Sequence, residues 1–400
     1  MSSLDLALAL AAAPVLVPAI YLLGLTLLSR CQEFPAPGAA RLRFDIVVPA
    51  HDEEASIRET VRSLLAIDYP RELFRVLVVA DNCADQTAAR AREAGASVLE
   101  RADQARRGKG YALESAFGYC LAGSADAMVV VDADTLVSPN LLGAMAARLQ
   151  AGAQAVQVDY AVRNREVSWR TRLMVIAFAI FHVLRSQARE RLSVSCGLRG
   201  NGMGFTRALL AEVPYGAFSL VEDVEYGIRL GEAGHRVHYA GEAHVYGEMV
   251  AGEKSSRSQR LRWEGGRFKL ARQHAPRLIG RALARRDRVL ADLALDLLVP
   301  PLSFLALGVM LGLSASCALA WRQGFPSVSL IAWSICGLSL VAYVLRGWQL
   351  SRTGLRGLLD LCRAPAFVAW KLALTAGHSF RKSDDWIRTA REDKTGGKSA

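Results

Sequence analysis

Twenty-four consecutive residues, Leu6 to Ser29, carry no charge. A bilayer core asks for roughly 20 apolar helical residues, so this run is long enough to span one. Two more uncharged runs lie near the other end, Leu297 to Trp321 and Gln323 to Leu345. Arg322 and a Gly324-Phe325-Pro326 turn separate them, the pattern of a tight helical hairpin. A cleaved signal peptide would open with Lys or Arg, whereas the charge ahead of the first run is Asp5. Arg30, Arg41 and Arg43 follow the first run, and Arg346, Arg352, Arg356 and Arg363 follow the third. Positive charge stays on the cytoplasmic side, so the N-terminus is expected outside and the middle of the chain in the cytoplasm.

Two shorter apolar stretches suit helices lying in the headgroup layer. Leu173 to Leu184 is flanked by Arg172 and Arg185, within an interfacial helix expected over 165–190; a buried core helix is the alternative. Ala364 to Phe380 contains Lys371 and His378. The expected organisation is a transmembrane helix over 1–30, a cytoplasmic domain over 44–270, and a C-terminal region over 271–400. That last region would hold the hairpin (297–345), an interfacial helix and a cytoplasmic tail.

Composition closes off other classes. With 52% hydrophobic and 22% charged residues, the chain is neither disordered nor of low complexity. The seven cysteines are scattered without a CxxC pair or zinc spacing, which suits free thiols in a reducing compartment. The net charge of +11 would fit nucleic acid. Many of the arginines flank the apolar runs instead, so anionic lipid and a nucleotide diphosphate are the expected partners, and no nucleic acid.

The middle alternates strand and helix signals. Phe44 to Pro49, Phe74 to Ala80, Ala96 to Leu99 and Ala127 to Val131 read as short buried strands. Glu53 to Leu65, Thr87 to Ala94 and Gly110 to Ala122 read as helices between them. Continuous β-branched strands separated by helices mean an α/β domain with a mainly parallel sheet between helices. Ligands of such sheets bind beyond the carboxyl ends of the strands. Polar clusters stand there, after Pro49, Ala80 and Val131. A dinucleotide-binding loop fails because PAHDEE holds no glycine, and a Walker loop fails because Gly110 follows Gly108-Lys109 and Asp103 holds the upstream glycine position.

Asp132-Ala133-Asp134 follows a buried strand directly, and two carboxylates at i and i+2 can share one divalent cation that bridges to a diphosphate. Loop capping is the plain alternative for such a pair. Glu222-Asp223 opens a helical stretch and supplies a candidate general base, or a pair of dipole-favoured N-terminal acids. In Gln259-Arg260-Leu261-Arg262-Trp263, Arg262 could hold a departing diphosphate and Trp263 could wall a sugar, or the stretch could belong to a basic interfacial helix.

Taken in order, PAHDEE, VVADNCADQTA, RRGKGYAL, VVVDADT, GNGMGF, VEDVEYGIRL and QRLRW resemble the family 2 glycosyltransferases of the GT-A fold. The resemblance covers about residues 44–270 and is narrower to membrane-embedded bacterial members related to cellulose and hyaluronan synthases. It implies a GT-A nucleotide-diphospho-sugar transferase domain with about three transmembrane helices and interfacial helices, in the bacterial inner membrane with the catalytic domain cytoplasmic. Pro49, Ala50 and Glu53 would cup the nucleotide, Asp81 would contact uracil, and Lys109 would lie near the phosphates. Asp132 would contact the nucleotide sugar, with Asp134 on Mg²⁺ or Mn²⁺. Gly202, Met203 and Gly204 would line the acceptor side. Asp223, beside Glu222, would be the catalytic base, and Gln259, Arg262 and Trp263 would form the QxxRW motif at the acceptor mouth. His51-Asp52 stand where Tyr-Asn is usual, and Asn82-Cys83 where Gly-Ser is usual.

The expected activity is inverting transfer from a nucleotide sugar, most simply a UDP-sugar, to a lipid-linked or membrane-proximal glycan acceptor. The alternatives are a processive polysaccharide synthase, helped by an oligomer or partner channel, and a non-catalytic membrane-surface binding module.

Overall fold

A computed structural model describes residues 2–30, 35, 41–248, 253–323 and 327–364; over 253–264 the description covers the helical backbone alone. The C-terminal stretch expected as an interfacial helix lies, beyond Ala364, outside the described residues. The chain divides into two compact units.

One unit spans 32–171 and 194–270 and is built on an eight-stranded sheet. Its strands are β1 (Phe44–Ala50), β2 (Phe74–Asp81), β3 (Ser97–Arg101), β4 (Ala127–Val130), β5 (Thr135–Val137), β6 (Ala155–Val162), β7 (Met203–Thr206) and β8 (Val237–Gly247). They lie in the order β3-β2-β1-β4-β7-β6-β8-β5. Pairing is parallel through β3-β2-β1-β4, as the apolar runs predict. Antiparallel β7 and β5 make the other half mixed. Every residue of β1 is buried, because helices cover both faces. Side chains alternate across the sheet. Ile46 and Val48 pack with Ile57, Val61 and Leu64 of the helix Ile57–Leu65. Val47 packs on the other side with Leu113, Ala116 and Phe117 of the helix Lys109–Leu121. Because β1, β2 and β4 are parallel, Ala50, Asp81 and the loop after Val130 emerge at one edge of the sheet.

The other unit gathers 1–31, 172–193 and 271–381. Two helices, Leu302–Arg322 and Val328–Ser351, are long and apolar enough to cross a membrane. Ser3–Ala11 and Ala13–Leu28 make a third span if counted together, although they bend by 47° at the break. The single helix expected over 1–30 is thus broken at Ala12, where Pro14 opens the second piece at a position that tolerates its missing N–H. Asp5 accepts from Ser327 Oγ (2.7 Å) at the start of Val328–Ser351, and Arg346 near its end donates to Ser29 Oγ (3.0 Å). The bent pair and this helix therefore run side by side in the same direction. Gly312 permits the hairpin's close approach, since a Cβ there would stand 2.1 Å from the Trp333 ring.

The stretch 172–193 belongs to this helical unit. Its α-helices Trp169–Phe178 and Arg185–Arg191 are joined by a π-helical segment, Ala179–Leu184. Arg189, 1% exposed, meets Asp296 Oδ1 at 2.6 Å and Asp292 Oδ2 at 3.1 Å, while Arg185 meets Asp296 Oδ1 at 2.9 Å. Tyr21 donates to Asp292 Oδ1 (2.8 Å) and accepts from Arg189. Buried charge persists where it is paired and hydrogen-bonded, and this cluster ties the three chain segments together.

Candidate active site

The loops after β1 and β2 interlock at the sheet edge. Pro49 and Ala50 end β1 in the buried layer. His51 Nδ1 lies 2.7 Å from the carbonyl of Asp81, and the Glu53 N–H donates to Thr87 Oγ1 (2.8 Å). Ser56 Oγ donates to Glu53 Oε2 (2.8 Å), fixing that side chain. Asp81 closes β2 fully buried. Its Oδ1 accepts from Arg101 (2.6 Å) and Asn82 (3.1 Å), whereas Oδ2 has no hydrogen-bond partner among the described residues. A buried carboxylate oxygen without a partner costs free energy, so this one is suited to receive a ligand N–H.

Asp52, Cys83 and Asp85 bring ligand-type atoms within 4.8 Å of one another in the same loops. Their carboxylates already accept backbone N–H groups: Asp52 from Ala84 (2.7 Å), and Asp85 from Glu54 (3.0 Å) and Thr87 (2.9 Å). Their evident work is to lock the two loops together.

Lys109 opens the helix Lys109–Leu121 and turns its ammonium into the site. Nζ donates to Asp132 Oδ1 (2.5 Å) and to the carbonyl of Gly200 (2.6 Å), and stands 3.9 Å from Glu222 Oε1. Burial works against the charge on Lys109, but Asp132 and Glu222 outweigh it and hold its pKa above that of an ordinary lysine. Gly110 beside it is required by space, since a Cβ would stand 2.2 Å from the carbonyl oxygen of Ala217.

Asp132 and Asp134 lie in the loop joining β4 to β5. Burial raises the pKa of Asp132, with Lys109 opposing. Asp134 is half-buried and accepts from its neighbour Thr135 through Oγ1 (3.3 Å). An all-oxygen carboxylate donor of this kind fits a hard divalent cation.

Glu222 and Asp223 are the first two residues of the helix Glu222–Glu232. The site of a Cβ on Gly200 is 3.5 Å from both Asp223 Oδ2 and Lys109 Nζ, so the turn at Gly200 separates the two charges by little more than its own backbone. Burial pushes Glu222 up to about 7, with Lys109 opposing and Asp223 reinforcing. Burial raises Asp223 as well, offset by the Val224 N–H and by Lys109.

Of the glycine-rich turn, only the first part faces these groups. Gly200 and Gly202 hold left-handed backbone (φ +77° and +70°), and a Cβ on Gly202 would strike Val158 at 2.4 Å. Met203 and Gly204 already belong to β7. Met203 is fully buried in the core, and Gly204 backs onto Met145. Gln259, Arg262 and Trp263 lie on the helix Glu253–Arg285, with their side chains outside the described residues. One turn further on, Gly266 packs against Val221, where a Cβ would meet Cγ2 at 3.0 Å. That helix therefore passes beside the residue preceding Glu222.

Sequence reasoning missed Arg101, Gln157, Thr135 and Asn201. The available signals were a glutamine in the otherwise apolar start of β6 and an asparagine between two glycines.

Residues 41–266, more than half of the chain, match the model of the glycosyltransferase-like family 2. The chain belongs to that family. A probable glycosyltransferase of Bacillus subtilis, YdaM, is 24% identical over 233 residues, covering 56% of this chain and 55% of the relative. The beta-monoglucosyldiacylglycerol synthase of Synechocystis is 29% identical over 229 residues, covering 55% and 47%. The chain thus matches about half the length of these curated relatives. The mannosyltransferase of Pyrobaculum calidifontis, solved with GDP-Man and Mn²⁺, superposes with a TM-score of 0.55 at 20% identity. It covers 85% of this chain and 98% of its own, and the likeness establishes the GT-A fold.

Proposed function

We propose that the protein is a membrane-bound, inverting glycosyltransferase that moves a sugar from a nucleotide-diphospho-sugar to a hydroxyl of a membrane lipid or lipid-linked glycan. The observation that carries this reading is the place of Lys109, whose ammonium joins Asp132 to the Gly200 carbonyl with Glu222 3.9 Å away. A single cation thus links the carboxylate assigned to the donor sugar with the acid pair assigned to the acceptor.

In this reading Asp81 Oδ2 accepts a nucleobase N–H, with Pro49, Ala50 and Glu53 forming the adjacent wall. Asp223 takes the proton from the acceptor hydroxyl as its oxygen attacks the anomeric carbon opposite the nucleotide. A base whose pKa burial has raised accepts that proton more readily near neutral pH. Lys109 offsets charge developing on the diphosphate, and fixed charge of this kind is worth more in a partly dry site than in water. Mg²⁺ or Mn²⁺ held by Asp134 would add Lewis-acid stabilisation of the leaving diphosphate. Gln259, Arg262 and Trp263 are assigned to the acceptor mouth.

The lipid acceptor is supported by the Synechocystis relative, whose name places its sugar on diacylglycerol. It is supported too by the two or three helices able to cross a membrane. The arginines that follow the first and third apolar runs support a cytoplasmic catalytic domain at a bacterial inner membrane.

The test is nucleoside diphosphate release by the detergent-purified full chain from a panel of UDP- and GDP-sugars, with mixed lipid acceptors, with and without Mn²⁺. Metal-dependent release from one donor, lost in Asp134→Ala, is the expected result, with a single sugar on the lipid product. A ladder of products would replace the reading by a processive synthase. Silence across the panel with every lipid would replace it by a binding module.

A further inference from the structure

Asn201 stands between the two left-handed glycines with its side chain fully buried. Its Oδ1 accepts the backbone N–H of Asp132 (3.1 Å), and its Nδ2 donates to Thr135 Oγ1 (2.8 Å). The orientation of this amide is forced. The Asp132 N–H is a donor and must face the oxygen, which leaves the nitrogen for Thr135. Thr135 is itself fully buried. Its hydroxyl has one proton and now accepts from Asn201, so that proton is free for Asp134, whose Oδ1 lies 3.3 Å away. One buried amide therefore fixes both ends of the Asp132–Asp134 loop: the peptide of the first carboxylate directly, the side chain of the second through a hydroxyl.

The backbone around Asn201 is held in turn. Gln157, 1% exposed on β6, accepts the N–H of Arg199 (2.9 Å) and donates to the carbonyl of Asn201 (2.7 Å). Lys109 holds the carbonyl of Gly200. The carbonyls of Gly200 and Asn201 are thereby both engaged, as a buried polar network requires. Two buried polar side chains, Asn201 and Thr135, thus engage the peptide of Asp132 and the carboxylate of Asp134, with a third, Gln157, behind them.

We propose that Asn201 and Thr135 form a positioning relay that aims the Asp134 carboxylate at the divalent cation, with Gln157 as its anchor. The relay rests on the donor-site reading given above. Partners behind a ligating carboxylate fix its direction and basicity, and their loss typically weakens metal binding about 10- to 100-fold.

The test uses the detergent-purified full chain and Mn²⁺ as the probe, titrated in the presence of UDP and of GDP, with nucleotide binding also measured in EDTA. Thr135→Val keeps the shape of the side chain and removes the hydroxyl; Thr135→Ser keeps the hydroxyl. Thr135→Val is expected to weaken Mn²⁺ binding about 10- to 100-fold while leaving metal-free nucleotide affinity unchanged. Thr135→Ser is expected to stay close to wild type. Asn201→Ala should match or exceed the loss, and the Thr135 pair decides the matter if Asn201→Ala does not fold. The relay is overturned if Thr135→Val binds Mn²⁺ as tightly as wild type, if Thr135→Ser fails equally, or if the loss extends to nucleotide in EDTA. A wild-type chain that binds neither nucleotide with Mn²⁺ overturns the donor-site reading and the relay with it.

Discussion

Lys109 Nζ lies 2.5 Å from Asp132 Oδ1, and this contact decides how the rest of the site is charged. The ammonium has three protons, and two are accounted for by Asp132 and the Gly200 carbonyl. Its remaining side faces Glu222 at 3.9 Å. Lys109→Met would leave three partly buried acids, Asp132, Glu222 and Asp223, without this cation. A charge-assisted hydrogen bond is worth about 1.5–3 kcal/mol, so kcat/KM should fall about 10- to 100-fold. Lys109→Arg should recover little, because a planar fork cannot place its donors where a point charge sits. Steady-state release of nucleoside diphosphate by the two variants checks this.

The adjacent acids should separate by role. Asp223→Asn is expected to lower kcat by about 10²–10⁴ while donor affinity stays near wild type. Glu222→Gln should cost less, because its burial at a pKa of about 7 leaves it partly protonated already at neutral pH. Turnover and nucleotide titration on the same preparations distinguish the two. Near-wild-type turnover by Asp223→Asn would remove it as the base.

The same shift sets a pH dependence of stability. Glu222 titrates near 4.5 in an unfolded chain and near 7 when folded. Between those values the folded state binds more protons than the unfolded one, so stability must fall as pH rises. The contribution is complete below about 4.5 and is lost through about 7. Thermal unfolding between pH 5 and 8 should show wild type losing more of its midpoint than Glu222→Gln. Parallel curves for the two would show that burial of Glu222 carries no such linkage.

What the sequence disclosed and what it hid follow from range. The polar clusters after Pro49, Ala80 and Val131 were legible because parallel buried strands read as apolar runs, and the polar residues after each run mark the edge where ligands bind. Lys109, Glu222 and Asp223 were legible through motif order, and the structure brings all three to the Gly200 turn. Asn201 and Thr135 were not legible. Their bond joins residues 66 apart in sequence, and nothing local tells that β7 pairs with β4 rather than another strand. Met203 was grouped with the acceptor side by its neighbours in the motif, yet strand pairing turns it into the core. In the membrane-type unit, hydropathy found the apolar length of Leu6 to Ser29 and passed over the 47° break, since hydropathy reports polarity and not backbone direction.

Arg189 offers a test of stability away from the chemistry. Its guanidinium, 1% exposed, is shared between Asp292 and Asp296 and donates to the hydroxyl of Tyr21. Arg189→Leu would leave both carboxylates, of which Asp296 keeps its 2.9 Å contact with Arg185. Removing one partner of a buried pair typically costs about 3–5 kcal/mol, more than the pair itself contributes over an apolar replacement. The single variant should therefore lower the thermal midpoint in detergent sharply. Replacing all three, as Arg189→Leu with Asp292→Leu and Asp296→Leu, should recover part of the loss. A single variant as stable as wild type would mean that the carboxylates are hydrated or protonated.

Gly110 tests how closely the base is held. A Cβ at this position would stand 2.2 Å from the carbonyl oxygen of Ala217 and 3.2 Å from Cα of Phe218. Both are backbone atoms, so no side-chain rotation relieves the clash. The segment from Ala217 leads through Ser219, Leu220 and Val221 to Glu222 and Asp223, while Lys109 precedes Gly110 on the other side. Gly110→Ala must therefore push the Ala217 peptide away from the start of the helix Lys109–Leu121, moving the acid pair relative to the ammonium. Misplacement of reacting groups by about 1 Å can cost about 100-fold in rate. The expected result is a fall in kcat of that order with a smaller loss of donor affinity, because Asp81 and the β1 and β2 loops lie elsewhere on the sheet edge. Overpacking typically destabilises by about 1–3 kcal/mol, which a moderate drop in thermal midpoint would report. Full activity in Gly110→Ala would show that the segment before Glu222 yields without moving the base.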